Sequence, residues 1–328
     1  MDTLTRVTGH ASERTLASAT NEAALHGCAI GQGVLVDISG TILTGAIITA
    51  RAPSLRPKGA CREPLIQPQL VLSHLFNSTK KETMRILVAN VNTTVSMTDS
   101  IALQARTVAA AGTEIVGITP RFGAASCEGN FESYLAAVAV MDAVVSYARP
   151  FDAVIQAGYG EHGREGLQEI LDVPVVDITE AAASTAMFLG HKYSVITTLD
   201  RTVPLIEDRL KLAGLDARCV SVRASGLGVL ELEEFPKRAV AAIIAEARRA
   251  VNEDKAEVIV LGCGGMSGLD EQIRLQLGVP VVDGVTAAVT IAESLVRLGL
   301  STSKVRTYAL PRRKVLTGWP LTDITNQD

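Results

Sequence analysis

The sequence predicts an α/β protein made of two pseudo-symmetric parallel-sheet lobes, with the active site in the cleft between them. Three observations predict it. From Met84 onward, short apolar runs alternate with helix-length stretches over short connections, the pattern of a parallel sheet covered by helices. One stretch of this pattern occurs twice, as DAVIQAGYG followed by VPVVDITEAA from Asp152 and as EVIVLGCGG followed by VPVVDGVTAA from Glu257. In both copies a Gly-rich turn follows a buried-strand pattern directly, and ligands of open α/β sheets bind at such strand ends.

The elements follow in order. Strand candidates in the first half are 85–90, 113–119, 152–157 and 174–178; in the second they are 192–197, 217–222, 257–262 and 280–283. The helix-length stretches between them lie near 95–111, 131–147, 163–171 and 179–189, then near 201–214, 233–252, 267–277 and 285–299. RILVANVNTT (85–94) and KYSVITTLD (192–200) open the two halves at an offset of 107. The expected division is a first lobe of 84–184 plus 284–311, a second lobe of 185–283, and a tail of 312–328. The last helix then returns to the first lobe.

Residues 1–83 break this pattern. Segment 51–83 is rich in Pro and Lys/Arg and has no sustained period. Val34 to Ala50 is apolar but too short for a membrane span, and Asp37 and Gly40 interrupt it. No signal-peptide order of charged start, apolar run and cleavage site occurs. The expectation is that Met84 is the biological start or that 1–83 is a poorly ordered appendage, with a small extra domain as the alternative.

The composition narrows the function classes. The 328 residues are 47% hydrophobic, 20% charged and 4% aromatic, with net charge −4. Nothing in the charge or its runs points to nucleic acid or membrane. The cysteines (Cys28, Cys61, Cys127, Cys219, Cys263) are odd in number and widely spaced, and the five His are scattered. That spacing argues against a disulfide framework or a zinc site and fits a reducing cytoplasm.

Sliding one copy of the repeat onto the other sets Gly158 opposite Cys263, so only one half carries a thiol. Cys263 lies in LGCGGM between a strand and a helix start, where backbone N–H groups lower a thiol's pKa. The competing reading is a small buried hydrophobe. Cys28 and Cys61 fall in the extension and Cys219 in a strand, which reads as structural; Cys127, in SCEGNFE, reads as a quiet loop cysteine. Asn90, Asn92, Thr93 and Thr94 follow the first strand, and Thr197 and Thr198 take the equivalent place in the second half. Such residues cap helices, yet paired polar turns beside the Cys/Gly loops also suit a carboxylate or a planar urea-like ring. Tyr159, Gly160, Glu161 and His162 come after the position without a thiol; His162 is a titrating base or a surface residue at a helix start.

NVNTTVSMTDS, AGYGEHG, TTLDRT, VLGCGGM, VVDGVTAA and ESLVRLGLSTSK together resemble the hydantoin and allantoin racemases of the aspartate/glutamate racemase superfamily, over about 84–311. The resemblance implies a cytoplasmic homo-oligomer that acts on a small molecule without cofactor. It also implies a cleft with two cysteines: one thiolate takes the proton from a carbon next to a carbonyl, and the opposite thiol protonates the other face. Cys263 matches the second of these cysteines and Gly158 the first; Val91 and Asp200 stand where the family usually has proline. Backbone amides of Thr93, Thr94, Tyr159, Gly160, Gly264 and Gly265 would stabilise the enolate oxygen. A second base would come from His162 first and Cys127 second. The alternatives are a single-cysteine decarboxylase, isomerase or lyase resembling arylmalonate decarboxylase, or an inactive ligand-binding member.

Overall fold

The computed structural model describes residues 83–315 and, ahead of them, the backbone of two strands. The chain divides into two compact units, Met1–Val71 and Leu72–Asp328. In the first unit, β1 (Ala29–Val36) and β2 (Ile42–Thr49) pair antiparallel. The expectations for the rest of 1–82, Cys28 and Cys61 included, lie outside the described residues, as does the tail beyond 315.

In the second unit the alternating pattern becomes two four-stranded sheets. The first has the order β4–β3–β5–β6, from β3 (Met84–Ala89), β4 (Thr113–Ile118), β5 (Ala153–Gln156) and β6 (Val175–Asp177). The second has the order β8–β7–β9–β10, from β7 (Tyr193–Thr197), β8 (Cys219–Ala224), β9 (Val258–Leu261) and β10 (Val281–Asp283). Every pairing in both sheets is parallel. Each sheet therefore has a topological switch point between its first and third strands, β3/β5 and β7/β9, where the connections leave in opposite directions.

The helices are α1 (Val95–Val108), α2 (Asn130–Val145), α3 (Arg164–Ile170), α4 (Ile178–Leu189), α5 (Val203–Leu212), α6 (Glu231–Glu234), α7 (Pro236–Asn252), α8 (Asp270–Leu277) and α9 (Gly284–Arg297). The single stretch expected at 233–252 is two helices, because Pro236 starts a new one at its first turn. The repeated VPVVD supplies a strand and a cap each time. Asp177 accepts the Glu180 amide to cap α4, and Asp283 accepts those of Val285 and Thr286 to cap α9.

The helices after the two caps change places. Ala182, Ala183 and Ala186 of α4 pack against Val195, Val258 and Val260 of the second sheet. Val285, Ala288 and Ala292 of α9 pack against Ile86, Val88 and Ile155 of the first. Ile178 and Ala181, at the start of α4, stay in the cluster of the first sheet, so the helix bridges the two sheets, and the expected 184/185 boundary falls inside it. The small residues of ITEAAASTA allow its close approach to the second sheet. Burying an isoleucine or valine completely, as here at Ile86, Ile155 and Val260, is worth about 1.5–3 kcal/mol each. After α9 the chain runs beside the first sheet: Thr302 bonds Asp172 and Val173, and the Lys304 ammonium caps the C-terminal carbonyls of α3 through Gln168, Glu169 and Leu171.

Candidate active site

One cavity lies at the carboxyl ends of β3, β5, β7 and β9, and so meets the switch points of both sheets. Its walls include Asn90, Val91 and Asn92 after β3, Ala157, Gly158, Tyr159 and His162 after β5, Thr197 and Thr198 after β7, and Gly262, Cys263, Gly264 and Gly265 after β9. Met97, Ile101, Cys127, Thr202 and Val229 complete it. The repeat brings the two Gly-rich turns together. A β-carbon on Gly264 would stand 2.8 Å from the carbonyl oxygen of Ala157, so only glycine permits this approach.

The polar turn after β3 is largely occupied with itself. Asn90 Nδ2 donates to Asn92 Oδ1, to the Thr94 carbonyl and to Thr98 Oγ1, and Asn92 Oδ1 accepts the Thr94 amide. Thr93 and Thr94 do not line the cavity. Their hydroxyls donate to the carbonyls of Ala124 and Ala125, and the Thr93 amide also bonds Ala124. They fix the loop between β4 and α2, which corrects the expectation that they hold substrate or an oxyanion. The Gly160 amide is likewise taken, by Thr179 Oγ1. Across the cleft, Thr197 Oγ1 bonds Thr202 Oγ1 and the Gly262 carbonyl.

Cys263 caps a short 3-10 turn, Gly264–Met266, whose Gly265 amide points at Sγ from 3.4 Å. The turn was expected to lower the thiol's pKa. Instead, burial pushes it up to about 11, outweighing the backbone donors of Gly265 and Met266, with a smaller upward push from Glu128. One 3-10 turn supplies less dipole than an α-helix, and desolvation of the thiolate wins. Cys127, expected to be a quiet loop residue, is a cavity residue. Its Sγ donates to the Val91 carbonyl at 3.2 Å. Burial raises its pKa to about 12, assisted by the charges of Glu132, Cys263 and Glu128. Cys219 lies outside the cavity, its Sγ bonded to the Ser221 carbonyl.

His162 is buried, not at the surface, because α3 begins only after it, at Arg164. Nε2 stands 3.5 Å from Ser133 Oγ, while Nδ1 has no partner. Burial lowers its pKa to about 4, so the imidazole is neutral near pH 7 and a weak base. Gly158 is not an open position for a thiol. A β-carbon there would lie 2.5 Å from Val91 Cγ1 and 2.8 Å from both Gln156 Nε2 and His162 Nδ1. Its φ is not in the left-handed region, so the constraint is packing and not backbone conformation.

Two sets of contacts hold the cleft shut. Glu128 Oε1 accepts the Val229 amide at 2.8 Å, and Ser96 Oγ donates to Glu233 Oε2 at 2.9 Å. On the other side, Arg209 of α5 reaches Asp177, Glu180, Glu161 and Glu165, with Arg164 bonded to Glu165 and Glu180. The Arg209 and Asp177 side chains are 1% and 0% exposed, so their pair is the desolvated centre of this cluster. Among the described residues no group of His, Cys, Asp and Glu is placed to hold a metal ion, and no helix is long and apolar enough to cross a membrane.

A sequence model described as Asp/Glu/Hydantoin racemase matches residues 86–292. The hydantoin racemase of Rhizobium meliloti is 41% identical over 72% of this chain and 98% of its own length. The crystal structure of an allantoin racemase from Pseudomonas fluorescens is 78% identical, covering 72% of this chain and all of that one, with a TM-score of 0.71. An allantoin racemase from Klebsiella pneumoniae is 40% identical, covering 72% of this chain and 97% of its own, with a TM-score of 0.70.

Proposed function

The chain belongs to the Asp/Glu/hydantoin racemase family and is an isomerase of the racemase type, and from that premise we propose that it acts on a cyclic ureide, a 5-substituted hydantoin or allantoin, by proton transfer at Cys263. The placement of Cys263 at the meeting of both switch points carries this reading. A small planar ring in the cavity sits between the two Gly-rich turns. Thr198 and the amides of Tyr159 and Gly264, which line the same cavity, would meet its carbonyl and N–H groups. As the thiolate removes the ring's α-proton, negative charge develops on the adjacent oxygen, and those amides stabilise it where water is excluded. The substrate class follows the names of the Rhizobium, Pseudomonas and Klebsiella proteins.

Gly158 favours one further reading, a reaction that needs a thiol on a single face. The two are separated by incubating the full-length protein with single enantiomers of allantoin and of a 5-alkyl hydantoin in deuterated water. Racemisation with deuterium entering the product supports the first. Exchange with retained configuration supports the second. Neither exchange nor racemisation with both probes overturns the proposal.

A further inference from the structure

We propose that Gln156 and His162 form a hydrogen-bonding subsite beneath Gly158 that takes a urea-type substituent on the ring, so that the site selects a ureido-bearing hydantoin such as allantoin over an alkyl one. The inference rests on the reading of Cys263 given above and names the substrate within that class. Three features lead to it.

The first is a pair of side chains with unmet hydrogen bonds. Gln156, the last residue of β5, and His162 are 0% and 5% exposed. Among the described residues, Gln156 is the one side chain with both its polar atoms buried and unpartnered, and His162 Nδ1 is unpartnered as well. Val154, on the same face of β5 as Gln156, belongs to an apolar cluster with Val91, Ala136 and Leu167. Nothing in that cluster can satisfy a carboxamide. Folded proteins keep an unmet buried amide of this kind where water or a ligand completes it.

The second is where the pair meets the cavity. Gly158 and His162 both line it. A β-carbon on Gly158 would stand 2.8 Å from Gln156 Nε2 and 2.8 Å from His162 Nδ1. The two atoms converge on the spot where a side chain at 158 would begin, and a larger residue would block them from the cavity. The glycine that leaves this half without a thiol is thus the residue that leaves the carboxamide and imidazole uncovered.

The third is complementarity. Other polar side chains of the cavity are already engaged, Asn90 with Asn92, Thr94 and Thr98, and Thr197 with Thr202 and Gly262. Neither end of the Gln156 carboxamide is committed, so it can present donors or an acceptor. Burial keeps the His162 imidazole neutral, which suits a neutral partner. A ureido group is neutral, planar and carries both N–H donors and a carbonyl acceptor. A carboxylate has no donor to offer, and an alkyl group would leave both side chains unmet.

The test measures kcat/KM for α-proton exchange in deuterated water with single enantiomers of allantoin and of 5-isopropylhydantoin. It compares the full-length wild type with Gln156→Met, His162→Leu and, as control, Cys219→Ser, with folding verified by melting curves. The wild type is expected to favour allantoin by about 10²-fold or more, because a site built around hydrogen bonds rejects an analogue that lacks them. Gln156→Met and His162→Leu should each cut that ratio by about 10-fold or more through loss on allantoin, whereas Cys219→Ser keeps it. An unchanged ratio in the folded variants, equal losses on both substrates included, overturns the proposal and leaves the unmet atoms to ordered water. A wild type that treats the two substrates alike, or prefers the alkyl one, overturns it too. In each of these cases the Cys263 reading stands. Exchange of neither substrate by the wild type overturns both.

Discussion

Glu128 of the first lobe accepts the backbone amide of Val229 of the second at 2.8 Å, one residue along from Cys127. The bond joins the two lobes beside the cavity that Val229 and Cys263 line. Bonds to a charged partner are worth about 1.5–3 kcal/mol. Glu128→Ala is therefore expected to lower kcat/KM by about 10-fold or more with little change in thermal midpoint. Steady-state kinetics and a melting curve check this; unchanged kcat/KM would show that the clasp does not govern the closed state.

The pH profile follows from the Cys263 thiol. The base must be a thiolate, and burial lifts Cys263 to about 11. Below that value the thiolate fraction rises with pH. The expected kcat/KM thus climbs about tenfold per pH unit from about pH 7 to about pH 8.5, since this parameter reports the free enzyme. A plateau beginning near neutrality would mean that Cys263 is an ordinary or activated thiol in solution.

Much of this arrangement was legible in the sequence, because repetition and period carry it. All eight parallel strands lie where alternation and the VPVVD repeat place them, and the LGCGGM turn meets the AGYGEHG turn as their matching positions require. What was not legible depends on distances between segments with no repeat. Cys127 and Val229 sit in loops without periodicity, so nothing local marks them as cavity residues. The sign of the Cys263 shift depends on burial by the opposite lobe, which outweighs the turn visible in the sequence. Thr93 and Thr94 looked like ligands because their hydroxyls follow a strand; their partners, Ala124 and Ala125, are 31 residues away.

Restoring a thiol at position 158 needs more than one substitution. Gly158→Cys alone is expected to destabilise the protein without increasing racemisation, because its β-carbon meets Val91 Cγ1 at 2.5 Å. Overpacking of this kind costs about 1–3 kcal/mol. Adding Val91→Ala removes that clash and should recover part of the loss. Urea unfolding of the single and double variants checks the coupling; two independent, additive effects would contradict it.

Arg209→Met tests the buried ion cluster. It leaves Asp177, which is 0% exposed, with a much weaker set of partners, whereas Glu161 at 47% exposure can turn to solvent. Breaking a buried pair by removing one member costs about 3–5 kcal/mol. The unfolding midpoint is expected to fall accordingly, and a shift below about 1 kcal/mol would place the Asp177 carboxylate in contact with water.

The most direct measurement compares α-deuterium incorporation into single-enantiomer hydantoins by the wild type and by Cys263→Ser, with folding of the variant verified by its melting curve. A serine hydroxyl is far too weak an acid to supply a base near neutral pH. The wild type should incorporate deuterium and convert each enantiomer to the other, while Cys263→Ser should convert neither. A folded Cys263→Ser protein that racemises both enantiomers at the wild-type rate would contradict the account at its centre.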